Sequence, residues 1–303
     1  MKVFTVNLGI CNETKAEREV ILSMILGKAK LRTFIEQALA EDMGWGDVTT
    51  AAVFTGVEQG TALAVAKTDL VVAGLEVFRE VFLCLDETLS VATGKQDGKS
   101  AKKGEILAEI GGNLQNILQA ERVALNILQR MCGIATETRR YVEAVAHTKA
   151  LIVDTRKTLP GFRNLDKYAV IAGGGRNHRY GLSDGVLIKD NHIDAAGGIE
   201  EAARRCRKRV SHLLKIEVEC RNLNEIHEAL RAEADVLLLD NMSLEEMSKA
   251  IAIVKGRALL EASGNVTIEN VKEIADIGVD LISIGALTHS VRAADISLII
   301  KKN

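Results

Sequence analysis

Six short apolar runs in the second half of the chain restrict the fold more than any other feature of the sequence. They follow residue 150, are rich in leucine and β-branched residues, and recur about every 20–35 residues, with charged, helix-like segments between several of them. The runs are LIVDT, GVLIK, KIEVE, VLLLD, ALLEAS and LISIG. Near-continuous apolar strands are typical of a parallel sheet that is covered on both faces. The pattern predicts an α/β fold, in which a full or incomplete (β/α) barrel is favoured over an open sheet.

Polar, charged or glycine residues stand at the ends of nearly all these runs. They are Asp154–Arg156, Lys189, Glu219, Asp240, Ser263–Gly264 and Gly285. Parallel α/β folds carry their chemistry at the carboxyl ends of the strands, because the loops there converge on one mouth. The sequence therefore predicts an active site at this edge of the sheet.

The first half of the chain has a different sequence pattern. An amphipathic helix is predicted at about residues 30–41, a small sheet within residues 60–110, and a second helix at about residues 114–131. Residues 1–27 fit no strong pattern, and we expect an extension whose role the sequence does not give.

Composition excludes several classes of protein. With 47% hydrophobic and 26% charged residues and a net charge of −2, the chain has no overall electrostatic reason to bind nucleic acid or a membrane surface. No apolar run approaches the roughly 20 residues that span a bilayer. The 5 cysteines are scattered and form no CxxC pair or zinc-like spacing. These features predict a cytoplasmic protein in a reducing compartment.

A cationic island lies between Arg156 and His192. This window has a net charge of +4, which leaves −6 for the rest of the chain. Its basic residues are Arg156, Lys157, Arg163, Lys167, Arg176, Arg179 and Lys189, accompanied by His178 and His192. A solvated basic face is the alternative, but Arg156 and Lys189 close apolar strands instead of alternating along an exposed helix. The island predicts a multiply anionic small ligand.

Glu219 and Asp240 end the two strands that follow the island. Two carboxylates near an anionic ligand suggest an intervening cation, and magnesium bound to a sugar diphosphate satisfies this requirement. Pairing of each carboxylate with a lysine or arginine of the barrel remains the alternative. Short glycine turns at Ser263–Asn265 and Gly285–Leu287 precede predicted helices, where backbone N–H groups can bind phosphate.

Two further positions attract attention. His178 stands in AGGGRNHR, where three glycines allow close backbone approach, and a functional role is favoured over a structural one. Glu121 falls on the apolar stripe of the second helix, beside Arg122. Either the two form an internal ion pair, or the helix presents Arg122 at an interface or site; the sequence favours neither alternative.

Long motifs of this chain closely resemble the quinolinate phosphoribosyltransferase family. The resemblance extends in order from about Leu31 to the C-terminus. Its motifs are EDMGWGDVTT, ERVALNILQRMCGIAT, DTRKTLPGFRNLDKYAV, GGGRNHRYGLSDGVLIKDNHI, LLLDN, EASGNVTIENV and SIGALTHS.

The resemblance implies an N-terminal α/β sandwich over residues 28–130, followed by an incomplete (β/α) barrel over residues 131–289 that carries the active site. Residues 290–303 are a candidate for packing back on the sandwich. It also implies a homodimer with shared active sites, or a higher assembly. In such a dimer, the partner subunit's Arg122 would reach into each site.

The resemblance further implies roles for the strand-end residues. Those surrounding the quinolinate carboxylates would be Arg156, Lys157, Thr158, His178, Arg179 and Lys189. Glu219 and Asp240 would hold the ribose hydroxyls of phosphoribosyl pyrophosphate and magnesium, directly or indirectly. The 5-phosphate would contact Ser263, Gly264, Asn265, Gly285, Ala286 and Leu287.

The implied reaction joins quinolinate to phosphoribosyl pyrophosphate with decarboxylation, giving nicotinate mononucleotide, pyrophosphate and carbon dioxide for NAD biosynthesis. Three residues depart from the usual family pattern, namely Cys132, Arg176 and Asn265, and none of them removes a charged ligand-binding group. The alternatives are a molybdate-associated phosphoribosyltransferase for another anionic ring, which Lys189 argues against, and a catalytically silent anion-binding paralogue.

Overall fold

The computed structural model describes residues 27–301, and these form two compact units. The first comprises the described residues up to Arg139, together with Thr158–Gly174 and the chain from Thr288 onward. The second comprises Arg140–Lys157 and Gly175–Leu287. Apart from residue 27, the predicted extension lies outside the described residues.

An antiparallel sheet of four strands organises the first unit, in the order β12-β1-β5-β3. Its strands are β1 (Gln59–Ala66), β3 (Ser90–Thr93), β5 (Ile106–Asn113) and β12 (Ile296–Ile300). The short strands β2 (Leu70–Val71) and β4 (Ser100–Ala101) form a separate antiparallel pair. Along β1 the alternate residues Ala62, Ala64 and Ala66 are fully buried, as expected where one face of a strand is covered. The last strand pairs with β1, with Ala62 opposite Ile300.

Within residues 27–301, five helices lie wholly or mainly in the first unit. They are α1 (Lys28–Met43), α2 (Val48–Val53), α3 (Leu75–Leu85), α4 (Leu114–Val145) and α5 (Arg163–Ala172). The helix predicted near residues 30–41 is confirmed as α1. One apolar core includes Phe78 and Phe82 of α3, Leu128 of α4 and Tyr168 of α5.

The helix α4 extends well beyond the end predicted near residue 131. Gly133 does not end it, because this glycine serves packing. A Cβ atom at Gly133 would lie 2.3 Å from the backbone oxygen of Arg292. Because Gly133 has no side chain, the backbone at Arg292 in the same unit can pack directly against α4, and the helix continues past this glycine.

Six parallel strands build the second unit, in the order β6-β11-β10-β9-β8-β7. They are β6 (Leu151–Val153), β7 (Val186–Ile188), β8 (Ile216–Cys220), β9 (Val236–Asp240), β10 (Leu259–Ser263) and β11 (Leu281–Ser283). All six predicted strands are confirmed. Among the described residues β6 and β7 do not pair with each other, so the sheet is an incomplete ring. The antiparallel first sheet and the parallel second one confirm the predicted α/β fold class.

Helices follow most of the parallel strands. They are α6 (Asp190–Ala196), α7 (Ile199–Arg209), α8 (Leu223–Arg231), α9 (Leu244–Val254), α10 (Val271–Asp276) and α11 (Ala286–His289). Within the described part of the chain, no helix is both long enough and apolar enough to cross a membrane.

The two faces of the parallel sheet differ in chemistry. One face contributes aliphatic side chains, such as Val218, Leu237 and Leu260, to the core of the second unit. Side chains of successive strand residues point to opposite faces, and residues in register share a face. Glu219 and Glu261 are both opposite Leu238, so they lie on the same face as one another, away from that core. The face away from that core thus carries carboxylates among its side chains.

Candidate active site

The predicted strand-end residues of the second unit occupy one edge of the parallel sheet. Lys189 follows β7, Glu219 lies at the end of β8, and Asp240 and Ser263 end β9 and β10 in register with each other. The Lys189 Nζ atom lies 3.0 Å from Glu219 Oε2. The ion pair with a barrel lysine, which the sequence left open, is therefore present for Glu219.

The segment that carries His178 is attached to the end of β6. The N–H of Asp154 donates to the Arg176 oxygen at 3.1 Å, and the N–H of Arg176 donates to the Ile152 oxygen at 2.9 Å. The fully buried Asp154 carboxylate accepts from Asn177 Nδ2 at 2.6 Å and from the His178 N–H at 2.9 Å. Strand pairing and one buried carboxylate thus fix this glycine-rich segment.

The His178 ring faces two buried carboxylates. Its Nε2 atom lies 3.0 Å from Glu217 Oε2 and 3.6 Å from Glu261 Oε1. The relative exposure of Glu217 is 7% and that of Glu261 is 1%. Burial, reinforced by the charge of Glu217, raises the pKa of Glu261 to about 7. The three ligating atoms lie within 4.8 Å of one another, a spacing that could also hold a metal ion.

The sequence pattern selects Asp154 as a strand-end residue but neither Glu217 nor Glu261. A signal was present, because KIEVE alternates carboxylates with apolar residues and ALLEAS places Glu261 among apolar neighbours. A buried carboxylate requires a hydrogen-bonding or charged partner. That requirement indicates a polar cluster inside the sheet, although it does not identify the partner.

Arg179 is partly buried and lies near another guanidinium, that of Arg156. Burial lowers the pKa of its guanidinium, and the positive charge of Arg156 lowers it further. Glu217 and Asp184 act in the opposite direction. One guanidinium nitrogen donates to the Gly185 oxygen at 3.2 Å. Repulsion between two nearby guanidinium groups favours an anionic ligand that can lie between them.

The turns after β9 and β10 are joined to each other. The Asn241 N–H donates to the Ser263 oxygen at 3.0 Å, and Asn265 Nδ2 donates to Asn241 Oδ1 at 2.9 Å. Gly264 has a φ of 90°, and a Cβ there would lie 2.2 Å from Asn241 Oδ1. Asn265 has a φ of 51°, in the left-handed region that asparagine tolerates.

The predicted site residues divide between the two units. Those in the second unit are Arg156, Lys157, His178, Arg179, Lys189, Glu219, Asp240, Ser263, Gly264, Asn265, Gly285, Ala286 and Leu287. Arg122 and Thr158 belong to the first unit. The Thr158 hydroxyl accepts from Arg163 Nε at 2.5 Å. The Arg122 side chain is 59% exposed and 4.0 Å from Glu121, so their ion pair is long.

Fold and site together define a protein of the parallel α/β class with charged side chains gathered at the strand ends. Two family models match the chain: the N-terminal domain of quinolinate phosphoribosyl transferase over residues 47–132, and its C-terminal domain over residues 134–299. The chain therefore belongs to the quinolinate phosphoribosyltransferase family, as its motifs predict, and is a pentosyltransferase.

Individual relatives agree with this assignment. An Arabidopsis thaliana protein named nicotinate-nucleotide pyrophosphorylase [carboxylating], chloroplastic, is 44% identical over 291 residues, covering 88% of this chain and 82% of the relative. The solved nicotinate-nucleotide pyrophosphorylase of Francisella tularensis superposes with a TM-score of 0.87 at 38% identity, covering 90% of this chain and 96% of that one. The enzyme from Ehrlichia chaffeensis gives 0.85 at 43% identity, with coverages of 88% and 97%.

Proposed function

We propose that the protein transfers the phosphoribosyl group of phosphoribosyl pyrophosphate to quinolinate, with decarboxylation, in NAD biosynthesis. The products are nicotinate mononucleotide, pyrophosphate and carbon dioxide. The observation that supports this proposal is Lys189, directly after β7, beside the carboxylate of Glu219 near the end of β8, in a chain of this family. Cations suit a pyridine dicarboxylate, and carboxylates suit ribose hydroxyls.

Polar and cationic residues hold the acceptor ring. Those that surround its carboxylates in this proposal are Arg156, Lys157, Thr158, His178, Arg179 and Lys189. The ring nitrogen already has a lone pair, so attack on the anomeric carbon needs no general base. The C–O bond to pyrophosphate breaks as the C–N bond forms. The positive ring nitrogen that results then stabilises the carbanion left on C2 when the 2-carboxylate departs as carbon dioxide, and C2 takes a proton from water to give nicotinate mononucleotide.

The strand-end carboxylates act on the ribose. Glu219 and Asp240 accept hydrogen bonds from its hydroxyls, and their negative charge favours an oxocarbenium-like ribose. The backbone at Ser263–Asn265 and Gly285–Leu287 contacts the 5-phosphate. The link between Asn241 and Ser263 holds the first of these turns beside the end of β9.

Magnesium is the cofactor in this proposal, and the donor set fits it. Glu219 has a side-chain exposure of 12% and already attracts one cation, the Lys189 ammonium. Asp240 offers a second carboxylate from the neighbouring strand. Magnesium is commonly bound by one or two carboxylates together with substrate phosphates. When bound with the diphosphate, it would neutralise charge on the leaving pyrophosphate.

The assembly in this proposal is a homodimer with shared sites. Support comes from Arg122, which is largely exposed and only distantly paired with Glu121. The partner subunit's Arg122 would complete the binding of the quinolinate carboxylates. A cytoplasmic location stays a prediction, since the Arabidopsis relative is named chloroplastic.

A comparison of acceptor rings tests the reaction. Purified protein, phosphoribosyl pyrophosphate and magnesium are incubated with quinolinate or with nicotinate, which lacks the 2-carboxylate, and pyrophosphate release is measured. We expect release with quinolinate and little with nicotinate. If pyrophosphate is released only with a different anionic ring, the molybdate-associated type is favoured. If quinolinate binds without turnover, a silent paralogue is favoured.

A further inference from the structure

The buried carboxylates beneath the binding residues are not explained by substrate binding alone. Glu217 and Glu261 lie in β8 and β10, on the sheet face away from the apolar core of the second unit, and His178 Nε2 approaches both. The Oε1 atoms of both carboxylates are buried without a hydrogen-bond partner among the described residues. Such an arrangement is costly unless the carboxylates serve a neighbouring group.

Both ring nitrogens of His178 are engaged by the chain itself. Nδ1 accepts a hydrogen bond from the Arg179 N–H at 2.7 Å. It must therefore be unprotonated, which places the ring proton on Nε2, directed at Glu217 Oε2 at 3.0 Å. The hydrogen bond of one imidazole nitrogen sets the state of the other.

The consequence reaches Arg179 through its backbone. The His178 N–H is held by Asp154 at 2.9 Å, and the Arg179 N–H is held by the His178 ring. If the ring lost its acceptor at Glu217, it could rotate or change tautomer, and the Arg179 backbone would lose its partner. The carboxylate of Glu217 also favours the charged guanidinium of Arg179 by proximity.

From this geometry we propose that Glu217, supported by Glu261, is a positioning residue that sets the tautomer and orientation of His178 and, through that ring, the placement of Arg179. In this arrangement both ring nitrogens of His178 have partners within the protein, so His178 acts on the dicarboxylate site through the placement of Arg179. The inference rests on the proposed function for its kinetic consequence, although the tautomer itself does not depend on it.

Nuclear magnetic resonance of protein labelled with ¹⁵N-histidine tests the tautomer directly. The His178 signal is identified by its loss in His178→Gln. At neutral pH the wild-type protein should show a protonated Nε2 and an unprotonated Nδ1. A ring protonated on Nδ1, alone or together with Nε2, would overturn the inference, and this holds even if no variant at position 217 folds.

Three variants test the kinetic consequence. Glu217→Leu removes the acceptor, and we expect the KM for quinolinate to rise about 10–100-fold, with the KM for phosphoribosyl pyrophosphate changed less than about twofold. Glu217→Gln retains a neutral acceptor for Nε2–H, so its KM should stay within about threefold of wild type. Glu245→Leu is the matched control on an exposed helix face, with a side-chain exposure of 78%, and should change neither constant.

The outcomes distinguish the proposed function from the positioning role of Glu217. If wild-type protein does not turn over quinolinate, the proposed function fails, while the tautomer measurement still decides the positioning role. If wild-type protein is active and Glu217→Leu keeps a normal KM for quinolinate, the positioning role fails alone. Stoichiometric metal bound in protein purified without added metal, and lost in Glu217→Leu, would also overturn it in favour of a metal site.

Discussion

At the scale of single residues, the pKa of a cationic side chain in the site depends on the charges around it. Arg156 lies close enough to Arg179 for its positive charge to lower the pKa of that guanidinium. Two such groups held together without a ligand repel one another, and a dianionic ring relieves this repulsion. Affinity for quinolinate should therefore depend steeply on each guanidinium.

Replacement of Arg156 tests this dependence. Arg156→Ala should lower kcat/KM for quinolinate about 10–100-fold, because a charge-assisted hydrogen bond to a carboxylate is lost. Steady-state kinetics measures the change, and circular dichroism checks that the protein remains folded. Arg204→Ala, at a surface residue paired with Glu201, is the control. Near-normal turnover by Arg156→Ala would contradict its assigned role.

The buried Glu261 predicts a pH dependence of stability. Its pKa rises from 4.5 to about 7 on folding, through burial and the neighbouring charge of Glu217. Between these values the folded state retains a proton that the unfolded state has released, so this group's contribution to stability declines as pH rises from about 4.5 to about 7. Glu261→Gln cannot ionise and should remove this decline. Urea unfolding of both proteins at pH 5, 6 and 7 measures it, and parallel pH profiles would contradict the prediction.

The sequence predicts the cations of the proposed site but not the buried carboxylates of Glu217 and Glu261. Arg156 and Lys189 follow apolar strands, so their position at the sheet edge could be predicted from local pattern. Glu217 and Glu261 lie within strands, and their importance depends on which face they occupy and on His178, which is remote in sequence. Neither fact is contained in a local pattern.

At the scale of elements, an ion pair joins two helices of the first unit. Arg130 of α4 binds the carboxylate of Asp166 of α5 through two hydrogen bonds of 2.8 Å. Asp166 is fully buried, and burial raises its pKa despite the opposing effect of Arg130. The same guanidinium stacks on Phe162 at 5.4 Å. This contact fixes α5 against α4.

Removal of one partner of this ion pair should lower the free energy of unfolding. Arg130→Met leaves the buried Asp166 without its cation, and we expect a loss of about 3–5 kcal/mol in the free energy of unfolding. The double variant with Asp166→Leu should recover part of that loss, because no buried charge then remains unpaired. Denaturant unfolding measures all three proteins. A single variant as stable as wild type would show that the pair does not stabilise the fold.

Elements with strong local patterns were predicted well. The six parallel strands coincide with apolar runs, since each strand is buried on both faces. The end of α4 was not predicted, because Gly133 resembles a helix terminus, whereas its actual role depends on the backbone at Arg292. The sequence of the helix itself does not indicate long-range packing of this kind.

At the scale of the whole molecule, residues 158–174 group with the first unit. Tyr168 within this segment donates to Asp97 at 2.8 Å, a contact between residues far apart in sequence. No local pattern indicates this grouping. The proposed dimer is a second property at this scale, since the partner subunit's Arg122 would complete each site.

Mixing two impaired variants tests the shared site. In a hybrid of Arg122→Ala and Arg156→Ala chains, one of the two sites would contain both arginines. Random subunit exchange should therefore restore about a quarter of wild-type activity. Exchange is verified with differently tagged chains. No recovery despite proven exchange would show that Arg122 does not act across a subunit interface.

The coupling of ribosyl transfer to decarboxylation tests the central claim most directly. Protein is incubated with phosphoribosyl pyrophosphate, magnesium and quinolinate labelled in its 2-carboxylate, and labelled carbon dioxide and nicotinate mononucleotide are measured together. The account predicts that both appear in equal amounts and only when phosphoribosyl pyrophosphate is present. Folded protein that forms neither product, or that releases carbon dioxide without the nucleotide, would contradict it.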